Sequence, residues 1–130
     1  MSSTKDFFKT TRILDGGMGQ ELLNRGVIPH GSIWGATALF QKKYHKLLVK
    51  THLDFINAGA EVIVTNTFGS RKRRLIENKL SHKYVELNKL AGKLARVAVK
   101  KSTKIVLIAG SLADQNFTYF GCMGIDINCI

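Results

Sequence analysis

Cysteine occurs only twice in this 130-residue chain, at Cys122 and Cys129. That excludes a disulfide framework and makes a reducing compartment, the cytoplasm, the expected location. Long hydrophobic runs are missing too. None approaches the roughly 20 residues that cross a bilayer, so no membrane span is expected. The first twelve residues hold only Phe7-Phe8, with Asp6 beside them, and lack the apolar stretch of about 7–15 residues that marks a secretory signal. Low-complexity segments and short repeats are absent. A hydrophobic content of 45% with 22% charged residues is that of an ordinary globular domain, which excludes disorder as the main state. The length allows one domain with a core of its own.

Acidic residues are scarce as well, nine against twenty Lys and Arg, for a formal net charge of +11. The dense cluster Arg71-Lys72-Arg73-Arg74 could neutralise phosphates, so a nucleic-acid-binding protein is one alternative. Against it, the other basic residues are scattered over polar positions of helical patterns, and no aromatics interleave with the cluster as a stacking platform needs. The cluster reads as the exposed start of a helical stretch.

What is present alternates. Residues 12–15 form a short apolar strand, and 19–24 open a short helix. Residues 25–36 make a loop that carries the single proline, Pro29, and the single tryptophan, Trp34. Over 43–58 the apolar residues recur at three- and four-residue steps, which predicts an amphipathic helix stopped by Gly59. Residues 60–65 are a β-branched strand ending in Asn66-Thr67-Phe68-Gly69-Ser70. A second amphipathic helix is expected over 81–100 with Ser81 as its N-cap. The third strand, 104–109, is apolar throughout, as strands buried on both faces are. This order predicts a parallel α/β fold. Three parallel strands leave two open sheet edges, so the chain is a fragment, is completed by a partner, or forms a smaller open sheet, and self-association is expected if this length is the real one.

The first strand delivers Asp15 directly into Gly16-Gly17-Met18-Gly19. An acid at the C-terminal tip of a parallel strand, beside glycines that admit close approach, is placed where α/β folds bind ligands. The bland alternative is a plain strand-to-helix turn with a solvated aspartate. A dinucleotide site fits poorly, because the third glycine of that fingerprint is missing. The four histidines have no His-x-x-x-His spacing and read as core or surface residues rather than ligands.

Taken in order, Asp15-Gly16-Gly17-Met18-Gly19-x-Glu21-Leu22, Trp34, Gly59-Ala60-Glu61-Val62-Ile63-Val64-Thr65-Asn66-Thr67-Phe68-Gly69 and Ile108-Ala109-Gly110-Ser111-Leu112 resemble the N-terminal part of the homocysteine S-methyltransferase family. The resemblance implies an α/β chain that is the N-terminal portion, about three βα units, of a (β/α)8 TIM barrel. It divides the sequence into an extension (1–11), a partial homocysteine-binding domain (12–120) and an atypical tail (121–130). The family's activity is methyl transfer to the thiolate of homocysteine, giving methionine, with zinc as cofactor. By the same resemblance Asp15 holds the substrate near its amino group or thiol, and Gly16, Gly17 and Met18 present backbone beside it. Trp34 forms a wall, Asn66 and Thr67 reach the substrate from the tip of strand two, and Ser111 is a further candidate at strand three. Gln20 stands where the family commonly has threonine.

The family's zinc cysteines are the main departure. The Gly-Gly-Cys-Cys-Gly pair does not occur in the 130 residues, and only Ile127-Asn128-Cys129 faintly resembles the other zinc motif. Cys129 is thus the single metal candidate, either a chance match or the remnant of a shortened sequence. Two function classes follow from the resemblance. One is a segment of a methyltransferase, inactive alone; the other is a non-catalytic, partner-completed half barrel. The methyl donor stays open among S-adenosylmethionine, S-methylmethionine, betaine and methylfolate.

Overall fold

The computed structural model describes residues 4–111. The elements run α1 (Thr4–Phe7), α2 (Met18–Asn24), a 3-10 turn (Gly31–Ala36), α3 (Thr37–Phe40), a second 3-10 turn (Lys42–Tyr44), α4 (His45–Ala58), β1 (Val62–Val64), α5 (Lys72–Glu77), a third 3-10 turn (Ser81–Lys83), α6 (Tyr84–Lys101) and β2 (Leu107–Ala109). The fold is α/β, rich in helix, around a small parallel sheet. No helix among the described residues is long and apolar enough to cross a membrane.

β1 and β2 pair in parallel, with Val62 opposite Leu107 and Val64 opposite Ala109. Leu14 bridges Val62 in parallel as well. Val62 therefore lies between two neighbours, and β1 is the middle strand. The strand expected at 12–15 shrinks to this bridge, for a visible reason. Ile13 N–H donates to the Glu61 carboxylate at 3.1 Å, a side chain standing where a ladder carbonyl would be. Arg12 is drawn the same way, with Nη1 2.7 Å from Glu61 Oε1 and Nε donating to Phe7 O at 2.6 Å. Its guanidinium also covers the Phe7 ring, so the N-terminal extension is tied to the sheet.

α4 and α6 form the main helical layer. Leu48, Val49, His52 and Ile56 line the buried face of α4, at the three- and four-residue steps of one helix face. Leu87, Ala91, Ala95 and Ala98 answer from α6, the three alanines letting the two helices pack closely. One core cluster gathers Leu22, Ile33, Leu39, Leu48, Leu75 and Leu87, and a second gathers Val49, Ile56, Ile63, Ala95 and Val106. Each fully buried leucine contributes about 2 kcal/mol. Thr51, also buried, satisfies its hydroxyl by donating to Leu47 O at 2.9 Å. Gly59 ends α4 at φ 121°, a backbone region that favours glycine. Lys104 Nζ then donates to Ile56 O and Asn57 O at 2.9 and 3.2 Å, placing a cation on the helix's C-terminal carbonyls.

Two expectations are corrected. Ser81 does not cap α6: it opens a 3-10 turn, and the residue before the α-helix is Lys83, with no side-chain cap bond. The turn is closed by Lys83 N–H donating to Leu80 O at 2.9 Å, which moves the helix start beyond Ser81. The third strand is shorter than 104–109 and is not buried on both faces. Its residues are half-buried, and Ile105, which precedes it, is 86% exposed.

Candidate functional site

The parallel register sends the strand ends the same way. One residue past the Leu14 bridge comes Asp15; beyond β1 come Thr65 and Asn66; beyond β2 come Gly110 and Ser111. Asp15, Thr65, Asn66 and Ser111 all line one cavity of about 450 Å3. Gly16 to Gly19 form part of its wall, Trp34 to Ala36 another, and Phe68 and Gly69 a third. Thus Asp15, Gly16, Gly17, Met18, Trp34 and Asn66 converge on a single space. Thr67 is not among the lining residues. Its hydroxyl lies 3.1 Å from that of Thr65 and donates to Ser111 O at 3.4 Å, closing the turn between strand tips.

Asp15 is half-buried, and Oδ2 accepts from Val64 N–H at 2.9 Å. Burial pushes its carboxyl above the usual range, and the Val64 hydrogen bond opposes that only in part. A carboxylate in such a place is stabilised by an incoming cation. Asn66 is buried, and its Nδ2 donates to Gly35 O at 2.9 Å, so its amide ties the strand tip to the turn that carries Trp34.

That turn is held in an uncommon backbone conformation. Trp34 has φ 49° and ψ −121°, inside a segment that is otherwise helical. Its ring lies on Gly19, where a Cβ would come 2.6 Å from Cζ3. Gly35 faces Gly19 in the same contact: its own Cβ would sit 2.6 Å from Gly19 Cα. The glycines at these two positions are what allow the first strand's turn and the tryptophan turn to touch.

Phe68, Gly35 and Gly69 were not singled out as site residues by sequence. Phe68 had a signal: an aromatic directly after a polar strand tip, here 42% exposed. The basic cluster is likewise more than exposed surface. Arg71 and Arg74 are half-buried, with guanidinium carbons 5.0 and 5.4 Å from the Phe68 ring centroid. Among the described residues no three His, Cys, Asp or Glu side chains come together as a metal group. Cys129 and its tail lie outside the described residues. His45 gives a ring nitrogen to Leu39 O at 2.8 Å, and His52 is fully buried.

A family model described as homocysteine S-methyltransferase matches residues 12–126. Homocysteine S-methyltransferase 2 of Saccharomyces cerevisiae is 29% identical over 94 residues, which cover 66% of this chain and 29% of that protein. Homocysteine S-methyltransferase 4 of Zea mays is 38% identical over 56 residues, 43% of this chain and 16% of that protein. The crystal structure of the homocysteine methyltransferase MmuM from Escherichia coli, in its metallated form, superimposes with a TM-score of 0.67 at 26% identity, covering 82% of this chain and 39% of that one. The chain spans well under half the length of each of these proteins.

Proposed function

Because the chain belongs to the homocysteine S-methyltransferase family, we propose that its cavity binds the amino-acid end of homocysteine for methylation on sulfur. The described residues correspond, on this view, to about three βα units at the N-terminal side of a (β/α)8 barrel. The observation that carries the reading is Asp15: a half-buried carboxylate, with its pKa raised by burial, at the wall of a cavity shared with Trp34 and Asn66. An α-ammonium group beside it supplies the opposite charge that burial withholds. The backbone of Gly16 and Gly17 lies open to a ligand, Trp34 excludes water from one side, and Asn66 keeps that wall in place. Thr67 then supports the turn.

In the reaction, a sulfur–methyl bond forms as the donor's bond to the methyl group breaks. The donor keeps that electron pair, and the thiol proton passes to solvent. Zinc is the group the family implies for holding the thiolate. The described residues do not fit it, since they contain no cysteine and no converging set of ligands, so no step is assigned to it. Activation of sulfur then belongs to residues outside those described. The 130 residues alone are accordingly expected to bind homocysteine without methylating it.

Titration calorimetry of the 130-residue chain with L-homocysteine tests the assignment. Asp15→Asn keeps the side chain's size and an acceptor for Val64 N–H but removes the charge. It is expected to weaken binding by about tenfold or more. Affinity for the parent chain should also fall on acidification, as Asp15 protonates above the usual carboxylate range. Equal affinity of the parent and Asp15→Asn would overturn the role given to Asp15.

A second reading, a non-catalytic half barrel completed by a second copy or another chain, draws on one observation. Ile13 and Leu14 on one side of the sheet are each 60% exposed, and Ile105 leads into the other side at 86%. Sedimentation velocity distinguishes it: a concentration-independent monomer removes self-completion.

A further inference from the structure

We propose that the C-terminal end of α5 is a clamp that positions the Trp34 wall of the cavity, with Asn78 and Arg74 as its positioning residues. Ser32, two residues before Trp34, is bonded to that helix end at every polar atom. Its N–H donates to Asn78 Oδ1 at 3.3 Å, and its carbonyl accepts from Arg74 Nη1 at 2.7 Å. Its hydroxyl accepts from Asn78 Nδ2 at 2.8 Å and donates to Glu77 Oε2 at 3.2 Å. Asn78 is itself fixed, its Nδ2 also donating to Arg74 O at 2.6 Å. Gly31, next to Ser32, has φ 51°, and a Cβ there would collide with the Asn78 amide. Helix end and turn are therefore in direct contact.

Backbone held at an uncommon φ persists only where its surroundings over-determine it. Trp34 has an anchor on each side. Asn66 holds Gly35 from the strand tip, and the α5 clamp holds Ser32 from the helix layer. Arg74 adds a second tie, its guanidinium lying over Phe68, the cavity's other aromatic. The Asn66 bond is buried, whereas the four bonds on Ser32 are open to solvent and each is weak by itself. Four of them on one residue leave Ser32 a single place to sit, and through it the indole a single position over Gly19. The clamp thus sets the width of the cavity from residues that do not line it. What the cavity holds rests on the homocysteine assignment; the positioning of Trp34 does not.

The chain has one tryptophan, so its fluorescence reports this position directly. In the 130-residue chain without ligand, Asn78→Ala is expected to shift Trp34 emission to the red and about double its acrylamide quenching constant, with helical circular dichroism kept. Homocysteine binding should weaken by about tenfold, as a displaced positioning group produces. Asn78→Asp, which keeps the acceptor for Ser32 N–H, should recover part of both changes. Ser32→Ala removes only the hydroxyl contacts, should move the emission the same way by less, and decides the matter should Asn78→Ala fail to fold. Ile56→Ala loosens the other core cluster and should leave the emission at its parent value. Unchanged fluorescence in Asn78→Ala and Ser32→Ala, or an equal shift in Ile56→Ala, would overturn the clamp. Should the fluorescence respond as expected while neither parent nor variant binds homocysteine, the clamp stands and the substrate assignment falls.

Discussion

Between pH 7 and pH 4 the fold is expected to lose about 3 kcal/mol through one side chain, His52. Its ring is fully buried in α4, one turn from Leu48 and one from Ile56, and neither Nδ1 nor Nε2 has a hydrogen-bond partner. Burial therefore disfavours the imidazolium and lowers the pKa from 6.5 to about 4. The unfolded chain binds the proton near pH 6.5 and the folded chain only near pH 4, so acid favours unfolding. The stabilisation is whole above pH 6.5 and falls away as pH drops toward 4. Asp54 and Glu61, whose carboxyls are held low by Lys50 with Arg25 and by Arg12 respectively, lose stability in acid as well. Both pairs remain partly open to solvent and contribute less. Urea unfolding of the parent and His52→Leu, at a series of pH values, isolates the term. The leucine variant should be as stable as the parent or more so at pH 7, since it removes two unsatisfied nitrogens, and should lack the steep loss. Parallel curves for the two proteins would show that His52 is not the cause.

Gly69→Ala should be the most damaging single methyl in the described residues, at about 3 kcal/mol. A Cβ at Gly69 would land on the carbonyl oxygen of Ile33, 2.9 Å from Ala36 Cβ and 3.1 Å from Ile33 C. Two of those atoms are backbone, and Ile33 is fully buried, so no side-chain rotation relieves the clash. The turn carrying Trp34 would have to move, and the cavity with it. Gly110→Ala is the matched control. Nothing lies within 4 Å of a Cβ there, and its cost should stay within about 0.5 kcal/mol of zero. Thermal unfolding of the two variants compares them; a Gly69→Ala melting point equal to that of Gly110→Ala would contradict the close approach.

Much of this was legible because local chemistry and tertiary structure agree. The periodicity of 43–58 and the glycine after it mark α4 and its end within two residues, since an amphipathic stripe and a left-handed stop are both local. The convergence of Asp15 and Asn66 follows from motifs at strand tips, and the 3-10 turn brings Trp34 to the same space. What was illegible depends on partners distant in sequence. Nothing near residue 13 announces that Glu61 will take the place of a ladder carbonyl. The 3-10 turn around Trp34 is held at Gly35 by Asn66 and at Ser32 by Asn78, from 31 and 46 positions away. Arg71 and Arg74 look like any solvated charge run until Phe68 is placed beneath them. The half-exposed third strand has the composition of a buried one, and composition does not say which face is covered.

The common register of the sheet has a bearing on how such a chain can change in length. Val62 faces Leu14 on one side and Leu107 on the other, so these three residues form a datum line across the fold. Asp15 lies one residue past it, and Asn66 and Ser111 lie four past it. Inserting or deleting one residue between the line and a tip would shift that site residue by about 3.3 Å relative to the others. The connections entering the strands, residues 59–61 and 102–106, lie on the other side of the line and away from the cavity, tied instead through Gly59, Glu61 and Lys104. A change in length therefore disturbs the cavity wall at one end of the sheet and, at the other, the ties that join α4 and the N-terminal extension to the strands.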